Sequence, residues 1–414
     1  MYRYLTIAAL VVVQAVTGHA QAPTDVHGTW TAELHSGKVF LQVRTAPPPD
    51  WNRSDNSNGR NGDWNMGQSF PVDELSGLPA NTDQLTAASV KFDLRREAGT
   101  LAFDGSFRDG RGAGLFTFAP RAAYVGDMRG LGYTDDMPVW RRFQLAVHDV
   151  GPKYIRELKT EGYDKLTLDQ IQRAKTHGVT IDYIRDLKGQ GFKGVTLENL
   201  VRTRDHGVTA DYIKSMKAEG FTGTTLDEFV RTRDHGVTQQ YVQQMKAAGF
   251  ANASVEDLVR AKDHGVNPEF VVEVRSLGLT VTGLDQYIRL RDHGVKSDFV
   301  KEMKTAGYDK LNAEELVRVR DHGVTAIFVH DLASQGMKNI PLDDLVRMKD
   351  HGVSAEYIAD MKALGLKDLT LPQIVRLRDH GITPGFVNHA RARGYKTTDP
   401  DELVRLKNGG LWKH

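Results

Sequence analysis

The residues of this sequence best suited to chemistry are histidines that recur beside acidic residues. The pentapeptide Arg-Asp-His-Gly-Val, seen first at positions 204–208, places an imidazole next to a carboxylate. Such a pair is half of a Ser-His-Asp triad, and both groups are also zinc ligands. Nine histidines are each 29 residues from the next: His148, His177, His206, His235, His264, His293, His322, His351 and His380. A spacing without a single insertion predicts a structural repeat.

The spacing argues against a metal site at these histidines. Stacked helices lie roughly 8 to 10 Å apart, whereas the ligands of one zinc ion lie about 2 Å from it. A ladder at that spacing cannot share an ion, so we predict no metal and no cofactor. Because each histidine comes in the last turn of a predicted helix, we expect its ring to cap free backbone carbonyls. A row of nine histidines that responds to pH is the alternative.

The repeat unit is typical of two short helices. In the unit that begins at His206, Thr209 can cap a first helix and Gly220 can end it, and a glycine recurs at that position in every unit. Thr225 can cap a second helix that ends at His235. Helices of about ten residues are marginal alone, so neighbouring units must stack. The sequence therefore predicts an α-solenoid of 29-residue helix-hairpin repeats.

An arginine also recurs in every unit, in a row that could bind an acidic partner. It is found at Arg173, Arg202, Arg231, Arg260, Arg289, Arg318, Arg347, Arg376 and Arg405. An acid lies four residues before it in eight of the nine units, as Asp227 does before Arg231. That order is favourable for an ion pair within one helix. We therefore expect each arginine to be held by carboxylates of its own helix.

The array is predicted to have distinct ends. Nine units occupy 148–408, a degenerate entry repeat occupies 121–147, and a truncated end occupies 409–414. Trp140 and Phe143 in the entry repeat are expected to join the array to the domain before it. The residue after the recurrent arginine is small in the early units and apolar later, at Leu290, Val319, Met348, Leu377 and Leu406. If exposed, these five are candidate partner contacts; if buried, they fill the core.

Residues 21–120 are predicted to form a small antiparallel β domain. Apolar and polar residues alternate around Trp30, Leu41, Phe92, Phe103 and Phe118, and turn residues separate the runs. One apolar face and one polar face indicate a small sandwich or partly closed barrel of roughly six strands. Together with the helical array, this gives an α+β multidomain protein.

Within the β domain, residues 46–67 are rich in Pro, Asn and Gly, which predicts a loop. Trp51 and Trp64 could form a stacking platform for a sugar or peptide ligand. Oxygen atoms of Asp50, Asp55 and Asp63 could instead hold calcium, although their spacing does not match an EF-hand loop. The third interpretation is that both tryptophans fold back to cover the sheet.

The first 20 residues are predicted to be a signal peptide. Arg3 is followed by an apolar run at 4–16 and by small residues that suit cleavage after Ala20. A membrane anchor is the alternative, but the run is shorter than the roughly 20 residues that a spanning helix needs. The chain has no cysteine, so it gains nothing from disulfides in an oxidising compartment. We expect a secreted or periplasmic protein without a transmembrane segment after cleavage.

The amino-acid composition limits the classes of function that this protein can have. The formal net charge of +1 gives no bulk positive field for nucleic acid. No nucleophile with a base beside it stands outside the repeats, so we predict that the protein is not an enzyme. We expect a scaffold that binds a protein, peptide or cell-envelope polymer through its repeat surface. Glycan or small-ligand binding by the β domain, with the solenoid as spacer, is the alternative.

The repeat wording carries a resemblance. Units reading Leu-Val-Arg-x-Arg-Asp-His-Gly-Val resemble the bihelical repeats of secreted proteins of environmental bacteria whose function is not established. They are also similar to the repeat tails of some sensor metallopeptidases of the β-lactam-response type. The resemblance covers about 121–410, and the β region at 28–30 and 110–118 looks like the segment before such repeats. Those peptidases depend on a His-Glu-x-x-His motif. This chain has no His-Glu dipeptide, so no peptidase activity is implied.

Overall fold

A computed structural model describes residues 26–35, 37–48, 63–79 and 87–410. The predicted signal peptide, with its cleavage after Ala20, lies outside these ranges, as do Trp51, Asp50 and Asp55. The chain divides into two compact units, residues 1–205 and residues 206–414. In the described residues, the first unit contains the β domain and six helices, and the second unit contains only helices.

The β domain is one curled antiparallel sheet. Its described strands are β1 (Val26–His35), β2 (Lys38–Thr45), β3 (Trp64–Pro71), β4 (Leu75–Ser76), β5 (Ala87–Arg96), β6 (Gly99–Arg108) and β7 (Arg111–Pro120). The order across the sheet is β3-β2-β1-β7-β6-β5-β4. Because β1 pairs with both β2 and β7, Trp30 lies opposite Val43 on one side and Gly114 on the other. The first strand thus ties the two hairpin groups together.

Trp30 is the centre of the core of this domain. Its side chain is 1% exposed, and its indole N–H donates to the Asp104 carbonyl at 3.2 Å. The facing glycines of β6 and β7 make room for the ring, since a Cβ on Gly105 or Gly114 would lie 2.7 Å from indole atoms. Phe92 meets the ring edge to face at 5.3 Å. Bulkier residues at these glycines would therefore displace the tryptophan.

The fold class is as predicted. The strands form a single curled seven-stranded sheet, so of the two predicted alternatives the partly closed barrel describes the β domain and the sandwich does not. The predicted loop at 46–67 extends too far into β3. This strand already begins at Trp64, which pairs with Thr45 of β2. Asn65 and Gly67 are poor strand formers, and cross-strand pairing overrides that preference. Residues 46–48 and 63 are irregular, and the rest of the predicted loop lies outside the described residues.

The entry repeat packs on the sheet, as predicted. It contains α1 (Tyr124–Gly130) and α2 (Val139–Val147). Phe143 of α2 is fully buried and stacks on Phe116 at 5.9 Å. Trp64 meets Phe143 at 5.2 Å and Trp140 at 6.0 Å. An aromatic cluster therefore joins the sheet to the first helices.

Nine helix pairs follow the entry repeat in the part that the structure describes. In the first unit they are α3 (Pro152–Thr160), α4 (Leu168–Thr176), α5 (Ile181–Gly189) and α6 (Leu197–Asp205). In the second unit they are α7 (Ala210–Ala218), α8 (Leu226–Asp234), α9 (Gln239–Ala247), α10 (Val255–Asp263), α11 (Pro268–Ser276), α12 (Leu284–Asp292), α13 (Ser297–Thr305), α14 (Ala313–Asp321), α15 (Ala326–Ser334), α16 (Leu342–Asp350), α17 (Ala355–Ala363), α18 (Leu371–Asp379), α19 (Pro384–Ala392) and α20 (Pro400–Asn408).

Local signals place the helix ends where the sequence predicts. The Thr209 hydroxyl accepts from the Tyr212 N–H at 3.2 Å, and Thr225 forms a capping box with Glu228. Gly220 has a φ of 94°, which a side chain would strain. Within each compact unit, first helices stack on first helices and second on second, as α7 does on α9 and α8 on α10. No helix in the described ranges combines the length and apolarity needed to cross a membrane.

Candidate interaction site

The recurrent histidines contact aspartates of the following repeat. His206 Nδ1 lies 2.6 Å from Asp234 Oδ1, and the two residues are 28 positions apart. The same pair recurs at 2.5–2.8 Å as His177–Asp205, His235–Asp263, His264–Asp292, His293–Asp321, His322–Asp350 and His351–Asp379. At His148 a hydroxyl takes the place of the carboxylate, because Thr176 Oγ1 lies 3.1 Å from its Nδ1. The Asp-His pairs are therefore contacts between repeats.

The position of the histidine is as predicted, but its partner is not. His235 is the C-cap of α8, and its backbone N–H donates to the Arg231 carbonyl at 3.1 Å. The prediction that the ring caps free carbonyls is wrong, because backbone groups already take them. Gly236 N–H donates to the Arg233 carbonyl, and Val237 N–H to the Thr232 carbonyl. The imidazole is left to bind the carboxylate of the next repeat.

The recurrent arginines also pair between repeats. Arg231 Nη1 lies 2.7 Å from Glu256 Oε2, although Glu256 is four residues before Arg260. The same pairing recurs as Arg173–Glu198, Arg260–Asp285, Arg289–Glu314, Arg318–Asp343 and Arg376–Asp401. The predicted pairing within one helix is wrong for these arginines. Stacked second helices place the last turn of one beside the first turn of the next.

The basic residue two positions after each recurrent arginine packs on an aromatic ring. The Arg233 guanidinium lies 5.1 Å from the centre of the Tyr212 ring, a cation–π contact between the two helices of one hairpin. Equivalent contacts at 4.7–5.2 Å occur in all nine hairpins. The Tyr212 hydroxyl also donates to the Val237 carbonyl at 2.8 Å. Burial raises the pKa of Tyr241, which makes the same bond, to about 12, so the phenol stays a donor.

Four of the five residues of the pentapeptide thus contribute to stacking. Its arginine stacks on a ring, its aspartate and histidine pair with neighbouring repeats, and its valine is buried, as Val237 is at 1% exposure. No group of three or more His, Cys, Asp or Glu is arranged to hold a metal ion in the described part of the chain. We conclude that this motif connects repeats and that a binding site has to be sought elsewhere.

The five predicted contact residues are not a surface stripe. Leu290, Val319, Met348 and Leu377 are fully buried, and Leu406 is half-buried near the end of the array. They occupy the same position as Thr232, which is also fully buried. The alternative of core filling is therefore the one that the structure selects for these positions.

The predicted ligand platform of the β domain is also not assembled in the described residues. Trp64 is 8% exposed and belongs to the aromatic cluster with Phe143, so it offers no open ring face to a sugar. It covers the sheet, as the third interpretation had it. Asp63 is the residue directly before β3. Trp51, Asp50 and Asp55 lie outside the described residues.

The outer side of α15 departs from the pattern of the other first helices. Five of the nine first helices carry an acid at the second helical position, where α15 has Ile327. The Ile327 side chain is 72% exposed. His330, one turn further on, is 85% exposed. Ala333 comes one turn later again, at a position that is Lys or Arg in the eight other hairpins. Because residues three apart are neighbours on a helix surface, the His330 side chain lies between those of Ile327 and Ala333.

The lysine that Ala333 replaces has a fixed role elsewhere. Lys246 Nζ donates to the Glu219 carbonyl at 2.7 Å, and Lys362 Nζ donates to the Gln335 carbonyl at 2.6 Å. In each case the acceptor is the C-cap residue of the first helix before it. The same bond recurs as Lys159–Leu131, Lys188–Glu161, Arg275–Ala248, Lys304–Leu277 and Arg391–Leu364. A cation at a helix C-terminus is favoured by the helix dipole.

Where the lysine is absent, a cavity opens. We call it the α15 notch; Ala306, Tyr308, Val329, Ala333 and Met337 line it, with Lys338, Asn339 and Ile340 at its far side. Its volume is 420 Å³, against 140 Å³ for the equivalent space beside Lys362 and 10 Å³ beside Lys304. Val329 is half-buried, whereas its equivalent Ile358 is 3% exposed. The missing side chain therefore leaves apolar surface open.

A second cavity lies on the β domain. It has a volume of 380 Å³ and is lined by polar side chains of β1, β2 and β3, among them Thr31, Gln42, Arg44 and Asn65. These residues occupy the face of the sheet opposite the aromatic core. The groove offers hydrogen-bonding groups, and Trp30, which also lines it, is only 1% exposed.

Known proteins give no further guidance on either site. No protein-family model matches this chain, and no curated protein matches it.

Proposed function

We propose that this is a secreted or periplasmic binding protein that takes a protein partner on its helical repeats, without catalysis. The observation that carries the proposal is α15, where the exposed Ile327 and the missing lysine at Ala333 coincide. An exposed apolar side chain and a cavity on the same helix are features of binding surfaces. The first helices on either side of α15 carry charged residues at both positions, as α17 does with Glu356 and Lys362.

Restoring the repeat pattern on α15 tests this proposal. The full-length I327E/A333K variant would be compared with the original chain for capture of proteins from cell-envelope extract of the source organism. We expect a specific partner to be lost, because the exposed Ile327 is replaced by a charged residue and the notch is filled. The matched control is E356Q on α17, which should capture the partner unchanged. Equal capture by all three chains would remove α15 as the site.

Secretion completes the proposal and rests on the N-terminal sequence. The apolar run at 4–16 and the small residues before Gln21 support an exported chain that is cleaved after Ala20. N-terminal sequencing of the protein from culture medium or periplasm should begin at Gln21. A mature chain that still begins at Met1 would contradict export by this signal.

The second candidate function is glycan binding by the β domain. The polar groove around Arg44 and Gln42 favours it, since hydroxyl groups need several hydrogen-bonding partners. Titration with cell-wall glycans would shift resonances of these residues if the groove binds them. An R44A variant should lose that response, whereas A333K should keep it.

A further inference from the structure

The α15 notch corresponds to a groove that recurs in other repeats. In those repeats a side chain of the repeat itself fills the groove. In seven hairpins a Lys or Arg donates to the C-cap carbonyl of the preceding first helix. Its alkyl stem lies along an apolar groove, and its charge meets the negative end of a helix. The groove is therefore built to hold an alkylammonium or alkylguanidinium group.

At α15 the groove is present and the cation is absent. The acceptor would be the carbonyl of Ala306, the C-cap of α13. No hydrogen bond to this carbonyl is formed within the described residues. Tyr308 fixes the far wall, because its hydroxyl donates to the Ile340 carbonyl at 2.7 Å. The notch therefore keeps its shape and its hydrogen-bond acceptor, but no cationic side chain at position 333 occupies it.

We infer that the α15 notch receives a lysine side chain of the partner protein, whose ammonium donates to the Ala306 carbonyl as Lys362 does to the Gln335 carbonyl. This inference rests on the proposed function and gives the partner's chemistry. The four methylenes of that lysine would cover Val329 and Met337, which are half-buried in the free chain. Exposed Ile327 would meet apolar residues flanking the lysine.

One charge opposes this occupant. Lys338 lines the notch and is exposed, so it repels an incoming ammonium through solvent. One hydrogen bond and a short alkyl stem give an isolated amine a Kd on the order of 1–10 mM. A K338A variant should bind a small amine more tightly, because the like charge is removed.

The test uses n-butylammonium as the probe and the full-length chain labelled with ¹³C at its methionine methyl groups. We expect the Met337 methyl resonance to shift and saturate, while the buried Met216 resonance stays in place. The neutral isostere 1-butanol should bind at least about tenfold more weakly, because it lacks the charge. The A333K variant should lose the response, since its own lysine fills the notch.

A gain-of-function control follows from the repeat. The K362A variant removes the lysine that serves the Gln335 carbonyl, so it should create a second notch. Butylammonium should then also shift the Met361 resonance, which the original chain leaves unchanged. If Met337 does not respond, or if A333K still responds, the inference is overturned.

Two further probes identify the source of the amine. Nα-acetyl-lysine methylamide should bind like butylammonium, and spermidine should bind no more than about tenfold more tightly. Much tighter binding of spermidine would overturn the assignment to a protein lysine in favour of a free polyamine. Capture of the partner through α15 with no butylammonium response would overturn this inference and leave the proposed function standing.

Discussion

Histidines at one sequence position have different surroundings along the array. Most face a carboxylate, as His206 faces Asp234, and form an ion pair whenever the imidazole is protonated. His148 faces the hydroxyl of Thr176 and lies near Arg141. Burial, with a smaller contribution from Arg141, lowers the pKa of His148 to about 4. The first histidine of the row is therefore neutral at physiological pH.

This difference predicts a local pH dependence. Because the folded-state pKa of His148 lies below its unfolded value near 6.5, the folded state binds fewer protons. Its contribution to stability is complete above pH 6.5 and is lost as the pH falls toward 4. Between pH 7 and 4.5 the loss should be about 2–3 kcal/mol, measured by hydrogen exchange of α2 and α3. An H148Q variant should lack this component; the same pH profile in H148Q would contradict the assignment.

The arginine row gives a second prediction with a control inside the chain. Arg231 pairs with Glu256, and both side chains are about half exposed, so R231Q should cost about 0.2–1 kcal/mol. Arg347 has no ion-pair partner in the described part, because Pro372 stands where the acid would be. R347Q should therefore be close to neutral in denaturant unfolding. Equal costs for the two variants would show that the ion pairs contribute nothing.

At the scale of the element, sequence reasoning located the helices but not their partners. Caps at Thr209 and Thr225 and the glycine at 220 are local signals, so they fix helix ends directly. The partner of Arg231 depends on how far one helix is shifted along the next. The length of the repeat does not determine this shift. Both Asp227 and Glu256 satisfy the sequence pattern, and only the stacking selects Glu256.

The candidate site was missed for a related reason. Ala333 stands out when the nine hairpins are compared position by position, since eight of them have Lys or Arg there. An alanine on a helix is unremarkable until the role of the lysine is known. That role, a bond to the C-cap carbonyl of the preceding first helix, appears only in three dimensions. Leu290 and its equivalents vary visibly in the sequence, but this is variation of the core.

The lysine of the first helix should matter for stability. K246A removes a hydrogen bond to the Glu219 carbonyl and opens a cavity, so it should cost about 1–2 kcal/mol. A333K supplies the same group to Ala306 and should stabilise the array by up to about 1 kcal/mol. Both are measured as changes in thermal unfolding of the full chain. A destabilised A333K would mean that the notch does not accept a lysine.

In the whole molecule, the fixed 29-residue period keeps the contacts between repeats in register. Contacts at separations of 25 and 28 residues hold each repeat to the next, as Arg231–Glu256 and His235–Asp263 do. Stability should then be a sum of repeats and their nearest-neighbour interfaces. Any change in length within a repeat would put these partners out of register.

Deletions test this directly. Removing residues 235–263, one whole period, joins Asp234 to His264 and leaves every remaining repeat intact. We expect this chain to fold and to melt cooperatively. Removing 235–262, one residue fewer, shifts the following repeat against its neighbour and should lower helix content by circular dichroism. Indistinguishable folding of the two deletions would contradict the register account.

We propose that binding occurs where the repeats deviate, on α15, and not along the repeated faces. A photo-reactive amino acid would be placed at position 327 of the full chain and, as the matched control, at position 356 of α17. Irradiation in envelope extract should cross-link one partner protein from position 327 and nothing specific from position 356. Cross-links from 356 as strong as those from 327, or none from 327, would contradict the claim.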